Sequence, residues 1–211
     1  MPLQNRVLPT GEIVRSTHRG EMMGNRGGRI HEPGTKELFP RRRHATRQWI
    51  SCVTEFKNRQ REVMGRGYTE LFFLDEVTAL AAGHRPCFEC RRKDARAFAE
   101  SWQKVFGLEL PPKAGEMDRL LHDERLSPAQ SKLDHHAIDD LPDGSMIEID
   151  SRCFARHQQR WLKWDESGYS ESPELAKALH TEPVRVLTPK IAIAVLSAGY
   201  QPVWHSSASS V

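Results

Sequence analysis

Residues 70–93 read ELFFLDEVTALAAGHRPCFECRRK, a run that leaves room for one order of local structure. The apolar residues 71–74 predict a strand. Asp75 behind them is a good N-cap, because its carboxylate can accept the orphan amides of a helix's first turn. Gly83 predicts the end of that helix, since a residue without Cβ enters the left-handed C′ conformation at little cost. Pro86 bars any continuation. Cys87 and Cys90 then form a C-x-x-C turn with Arg85, Arg91, Arg92, Lys93 and Arg96 around it. Two thiolates at that spacing can face one tetrahedral metal ion. The spacing also serves a redox dithiol or two free thiols. No thioredoxin-like βαβ pattern surrounds it, which favours the metal, zinc, over the redox pair.

The run resembles the second half of the Ada-type zinc-binding domain of DNA alkylation-repair proteins. That domain carries the same strand, short helix, Gly, Arg-Pro-Cys and second Cys, followed by basic residues. Similar modules are appended to some bacterial nucleases. The likeness is confined to residues 70–93. Upstream the family has two cysteines spaced C-x-x-x-C on a preceding strand, where this chain has Cys52 alone. The resemblance implies a DNA-associated zinc protein of repair or defence, with Cys52 near the turn. A buried apolar cysteine is the other reading of Cys52. As a whole the chain resembles a family of bacterial proteins of this length, which implies no activity.

A chain of 211 residues with 38% hydrophobic and 28% charged content fits one large soluble domain or two small ones. No apolar run reaches the ~20 residues that span a bilayer, and the first residues lack a signal-peptide core. The expected address is the cytoplasm, with no membrane partner. Four cysteines are too few and too unevenly spaced for a secreted disulfide scaffold. Net charge is +3, unevenly spread: residues 1–70 hold 14 Lys/Arg against 7 Asp/Glu, and residues 111–150 hold 4 against 10. A basic first third points to a polyanion, most simply nucleic acid and expected to be DNA; a solvated surface offset by the acidic middle is the other reading. Arg41, Arg42, Arg43 and Arg47 form the densest positive cluster. With Arg91, Arg92 and Lys93 at the zinc turn they are the expected phosphate contacts.

The expected fold is α+β: a small antiparallel sheet with a zinc-binding turn and helices, then a β-rich C-terminal half. Residues 1–35 are rich in Gly, Arg and Pro with weak periodicity, and 23–34 read as an ordered loop or a pair of tight turns. Strands are expected at 49–53, around 62–64 and at 71–74. Ala95, Phe98, Ala99, Trp102, Val105 and Phe106 recur at helical spacing up to Gly107. The Pro-rich break that follows divides the chain into 1–108 and 109–211. A short helix over 116–126 would turn Met117, Leu120 and Leu121 inward. Beyond it, a turn at 142–144 leads into strands near 146–149, 153–155 and 161–164. Trp161 and Trp164 suit core packing better than base stacking.

Near the end, VLSAGYQP (195–202) echoes ALAAGHRP (79–86), with Thr188 and Pro189 as cap and first turn. An internal duplication that kept the metal in one copy, or a chance likeness of two short units, explains the echo.

One structural zinc per chain is expected, held by Cys87 and Cys90 with Cys52 third. His31 leads for the fourth ligand, ahead of His84 in the turn itself and of Cys153, which lies in the distant β half. Three functions remain open. The first is zinc-dependent binding of nucleic acid. The second is a metal-assisted hydrolase or nuclease using His122 and Glu124, or the histidines at 135–136. The third is a zinc-stabilised protein-interaction module.

Overall fold

The structure, a computed structural model, describes residues 1–60, 62–126, 138–175, 179 and 182–211. It is α+β, with two sheets and a β-rich C-terminal half. The first sheet comprises β1 (Gln4–Val7), β2 (Ile13–Arg15), β3 (Met22–Arg26), β4 (Trp49–Val53), β5 (Leu71–Phe73) and β6 (Arg85–Pro86), in the order β2-β1-β5-β3-β4-β6. Antiparallel pairs join β1 to β2 and β3 to both β4 and β5. The pairs β1–β5 and β4–β6 are parallel.

β4 and β5 lie where the sequence predicts them. The strand expected around 62–64 is instead a turn, with Met64 at φ 54°. Residues 1–35, where the sequence shows only weak periodicity, hold β1, β2 and β3, and β3 takes the start of the stretch read as loop or tight turns. β3 is MMGNR, with no β-branched residue and a glycine at its centre, so propensity conceals it. The glycine is required. A Cβ on Gly24 would stand 2.2 Å from the Ile50 carbonyl oxygen and 2.8 Å from the Phe73 ring.

Helix α1 (Glu76–Ala81) is the element around which both halves pack, and every one of its residues is buried. Asp75 caps it as predicted, accepting from the Thr78 amide at 2.9 Å, and Gly83 ends it at φ 79°. Its faces divide the core. Ala79 packs with the first sheet, Val77 and Ala81 with the C-terminal sheet, and Leu80 with the remaining helices. Two buried carboxylates hold the C-terminal region to it. Asp75 also accepts from the Tyr169 hydroxyl (2.8 Å) and the His205 amide (3.1 Å). Glu76 accepts from the Tyr200 hydroxyl (2.6 Å) and the Val203 amide (2.9 Å).

Helix α2 (Arg92–Phe106) turns Ala95, Phe98, Ala99 and Trp102 inward and ends at the left-handed Gly107. Val105 and Phe106, expected in the same stripe, are 38% and 48% exposed, because the last turn runs past the core. Helix α3 (Ala114–Leu126) buries Met117 and Leu121 but not Leu120. Strands β7 (Met146–Ile149), β8 (Arg152–His157), β9 (Arg160–Asp165) and β10 (Gly168–Ser170) form the expected meander, and β11 (Arg185–Val186) pairs with β7. The two sheets lie on either side of the Pro-rich break after Gly107. The clusters around Val77 and Leu80 draw side chains from both sides of it.

The last helix, α4 (Lys190–Ser197), ends as α1 does. In α1 the amides of Ala82, Gly83 and His84 reach back to Thr78, Leu80 and Ala79. In α4 those of Ala198, Gly199 and Tyr200 reach back to Ala194, Leu196 and Val195. Its start differs from expectation. The Thr188 hydroxyl accepts from the Met146 amide, and the helix is capped by a carboxylate from α3.

Candidate metal centre

Side chains alternate across a strand, and the two faces of the first sheet have different fates. Met22, Gly24, Trp49, Ser51 and Phe73 face the helices. Met23, Asn25, Ile50, Cys52 and Phe72 face the other way and line a cavity. β6 runs parallel to β4 with Pro86 opposite Ser51, and the Cys87 amide donates to the Ser51 carbonyl at 2.9 Å. The chain therefore delivers Cys87 beside Cys52, and the turn brings Cys90 back to both. The three sulfurs lie within 4.8 Å of one another. A zinc ion with Zn–S of ~2.3 Å in tetrahedral geometry sets its sulfurs about 3.8 Å apart, so the cluster fits one ion with small adjustments.

The surroundings suit thiolates. The amides of Glu89 and Cys90 point at the Cys87 sulfur, that of Glu89 at 3.4 Å, and the Val53 amide points at Cys90. Helix α2 begins two residues after Cys90 and adds the positive end of its dipole. Hydrogen bonding to Cys87 holds the Cys52 thiol far above its usual range, and the same contact pulls Cys87 far down. Cys90 sits above its usual range: the lowering by Cys52 is outweighed by Cys87 and by burial. Negative charge thus concentrates on Cys87, and a dication shared by all three sulfurs would relieve the crowding.

The expected fourth ligands lie elsewhere. His31 is fully buried, with Nδ1 2.6 Å from the Thr69 hydroxyl and Nε2 2.9 Å from the Gly65 carbonyl. Both nitrogens are engaged in joining the 29–31 loop to residues 65–69. His84 packs on Phe73 and Trp49, on the opposite face of the sheet. Cys153 belongs to the core of the C-terminal sheet, where burial pushes its thiol up to about 12. Among the described residues no fourth metal-binding side chain joins the three cysteines. Instead the cluster forms part of the wall of a cavity of about 240 Å³, together with Tyr68, Glu70 and Phe56. Glu70 is 5% exposed and accepts from the Met64 amide at 2.8 Å. The Arg59–Glu89 pair, at 2.6 Å, lines the same cavity. Sequence reasoning missed Glu70, which it took as the residue before a strand. Its lone acidic character ahead of the apolar run was the only signal.

The other candidates separate. Arg41, Arg42, Arg43 and Arg47 are exposed in one loop, and Arg92 and Lys93 are exposed in the first turn of α2. Arg91 is not available to phosphate. It is 4% exposed and pairs with Glu76 at 2.6 Å and Asp94 at 2.8 Å, and it donates to Ser51 at 3.1 Å. Glu124 is not a free catalytic carboxylate, because it caps α4 through the amides of Lys190 and Ile191. His122 is 6% exposed and packs edge-on against His44 at 4.9 Å. The histidines at 135–136 lie outside the described residues. No helix among the described residues is long and apolar enough to cross a membrane. No protein-family model, curated protein or solved structure matches the chain.

Proposed function

We propose that this protein binds one zinc ion through Cys52, Cys87 and Cys90 and presents the ion's fourth coordination position to a ligand in the adjoining cavity. The observation that carries the reading is three clustered sulfurs on the wall of an open 240 Å³ cavity. Zinc with three protein ligands and an open position is the arrangement of sites that do chemistry, whereas four protein ligands make a scaffold. In such a site zinc supplies Lewis acidity toward its fourth ligand. Glu70 lines the same cavity, partly shielded from water, and is placed to take a proton from what binds there. The aromatic walls from Phe56, Tyr68 and Phe72 favour a flat organic ligand. Metal-assisted hydrolysis is thus centred here rather than on α3.

The test is metal analysis followed by cobalt substitution. About one zinc per chain is expected, and Cys90→Ser should lose it and melt at lower temperature, since binding and folding are coupled. The cobalt protein should show sulfur-to-metal charge transfer, with ligand-field bands that shift on adding azide. Metal-free protein whose melting temperature ignores chelator would sink the reading. A cobalt spectrum indifferent to azide would leave only a scaffold.

Nucleic-acid binding, the function implied by the Ada-type resemblance, is favoured by one observation: Arg41, Arg42, Arg43 and Arg47 stand exposed in a single loop. Four phosphate contacts there predict a log–log salt slope of roughly −3.6 on duplex DNA. Gel shifts on DNA and RNA at low salt measure it, and no complex at micromolar protein would reject it.

A further inference from the structure

On the sheet face opposite the cysteines, one buried and one half-buried guanidinium group lie against the same indole ring. Arg26 at the end of β3 is 3% exposed, and its cross-strand partner is Trp49 at the start of β4. The Arg26 guanidinium carbon lies 4.0 Å from the centre of the Trp49 ring system, and that of Arg125, from α3, lies 4.4 Å from it. Among the described residues neither arginine forms an ion pair. The nearby carboxylates of α3 are already committed, Asp118 to a bidentate pair with Arg85 and Glu124 to the cap of α4. Arg26 donates to the Gly11 carbonyl and to His84 Nε2, and Arg125 to the Gly83 carbonyl. These acceptors are neutral, and Asp118 and Glu124 offset the charge of Arg125 only in part and without direct contact.

Polar atoms without partners converge on the same place. Among the described residues the Trp49 indole nitrogen, in a side chain that is itself nine-tenths buried, has no acceptor, and Nδ1 of His122 and of His44 have no partner. His44 packs on both Trp49 and His122, at 5.8 and 4.9 Å between ring centres. An indole N–H can only donate. Leaving it unpaired beside the buried Arg26 guanidinium, with no anion at hand, is costly. Burial pulls both Arg26 and Arg125 down to about 9, with added repulsion from Arg125 and Arg43 at Arg26 and from Arg85 at Arg125, where Asp118 and Glu124 oppose it, so both still carry charge at neutral pH. His44 is only half-buried and belongs to the exposed loop of Arg42, Arg43 and Arg47, which gives the cluster a positively charged approach.

We propose that Arg26, Arg125, Trp49, His44 and His122 form a binding site for a tetrahedral oxyanion, a phosphate group. Planar guanidinium forks match such oxygens in pairs. The indole N–H and imidazole nitrogens supply single hydrogen bonds beside them. The phosphate comes from a small phosphorylated molecule or from a nucleic-acid backbone, and the site is separate from the metal centre.

The zinc-loaded full chain is titrated with sodium phosphate, and separately with sodium chloride at equal ionic strength, while the Trp49 indole ¹H–¹⁵N resonance is followed. That resonance is assigned by its loss in Trp49→Phe. A saturable shift with phosphate and none with chloride is expected. Arg125→Gln should weaken phosphate at least tenfold and His122→Gln at least threefold, so a folding defect in one variant leaves the other to decide. A resonance that responds alike to both anions, or variants that bind phosphate as the wild type does, would overturn the site. An oligonucleotide without terminal phosphate is the second arm. Competition with phosphate assigns the source to a nucleic-acid backbone. Binding of phosphate without competition keeps the anion site and rejects the backbone as its ligand.

Discussion

Arg91 shows how far one side chain can depart from what its type announces. Its guanidinium links the cysteine turn, β4 through Ser51, and α1 through Glu76, whose carboxylate also receives Tyr200 and Val203. The group holds its proton more firmly than usual: hydrogen bonding and attraction to Glu76 outweigh the larger single effect, desolvation, which acts the other way. Removing one partner of such a pair leaves a buried charge. Arg91→Met should therefore cost about 3–5 kcal/mol, read as a lowered urea midpoint. The double variant Arg91→Met/Glu76→Gln should recover part of that loss, because it removes the stranded charge along with the pair. An unchanged midpoint in the single variant would mean that the pair contributes nothing.

At the scale of elements, the short helix α4 depends on a neighbour for its start. Pro189 precedes it and offers no side-chain cap, so the carboxylate of Glu124 meets the first amides from α3. Glu124→Ala should cost about 1 kcal/mol, as loss of an N-cap does, and should leave zinc content unchanged. A variant that loses metal instead would link α3 to the cysteine cluster. Strand β3 gives a sharper case. Gly24→Ala pushes a methyl group into the Ile50 carbonyl and should cost at least about 1–3 kcal/mol, the penalty of overpacking. Equilibrium unfolding measures both.

For the whole molecule the consequence is a dependence on pH. His84, buried between Phe73 and Trp49, is held well below its usual range by desolvation first and then by Arg26 and Arg125. His122 and His44 are lowered in the same way, by burial and then by the arginines, with Asp123 opposing weakly at His122. A histidine whose folded pKa is depressed takes up its proton more readily when unfolded. Stability should thus be full above about pH 6.5 and fall as the pH drops below it. Urea midpoints at a series of pH values measure this, and a flat profile from pH 7 to 5 would refute it. His122→Gln should reduce the fall, and saturating phosphate should reduce it too if the anion site holds.

Much of the path from Asp75 to Cys90 was legible, because its signals are local. A carboxylate before a helix, a glycine after it, and a proline that bars its continuation act over a few residues, and their geometry needs no partner elsewhere. The helical stripe of α2 was legible for the same reason, as were the meander strands 146–149 and 161–164. What distance in sequence concealed was of another kind. β3 is a strand only because β4 and β5 close over Gly24, and Glu70 belongs to the cysteine-lined cavity only because β3 and β4 turn one face toward it. Cys52 stood as third ligand and His31 as leading candidate for the fourth, since the sequence shows that a side chain can ligate but not where it points. Pairing of β4 with β6 brought Cys52 to the turn, while Thr69 and Gly65 held His31 away. The basic residues divided likewise: charge was written in the sequence, but burial was not. Local stereochemistry depends on neighbours along the chain and can be read there. Ligand sets, buried ion pairs and buried cations depend on which strands meet, and that is decided only when the chain closes on itself.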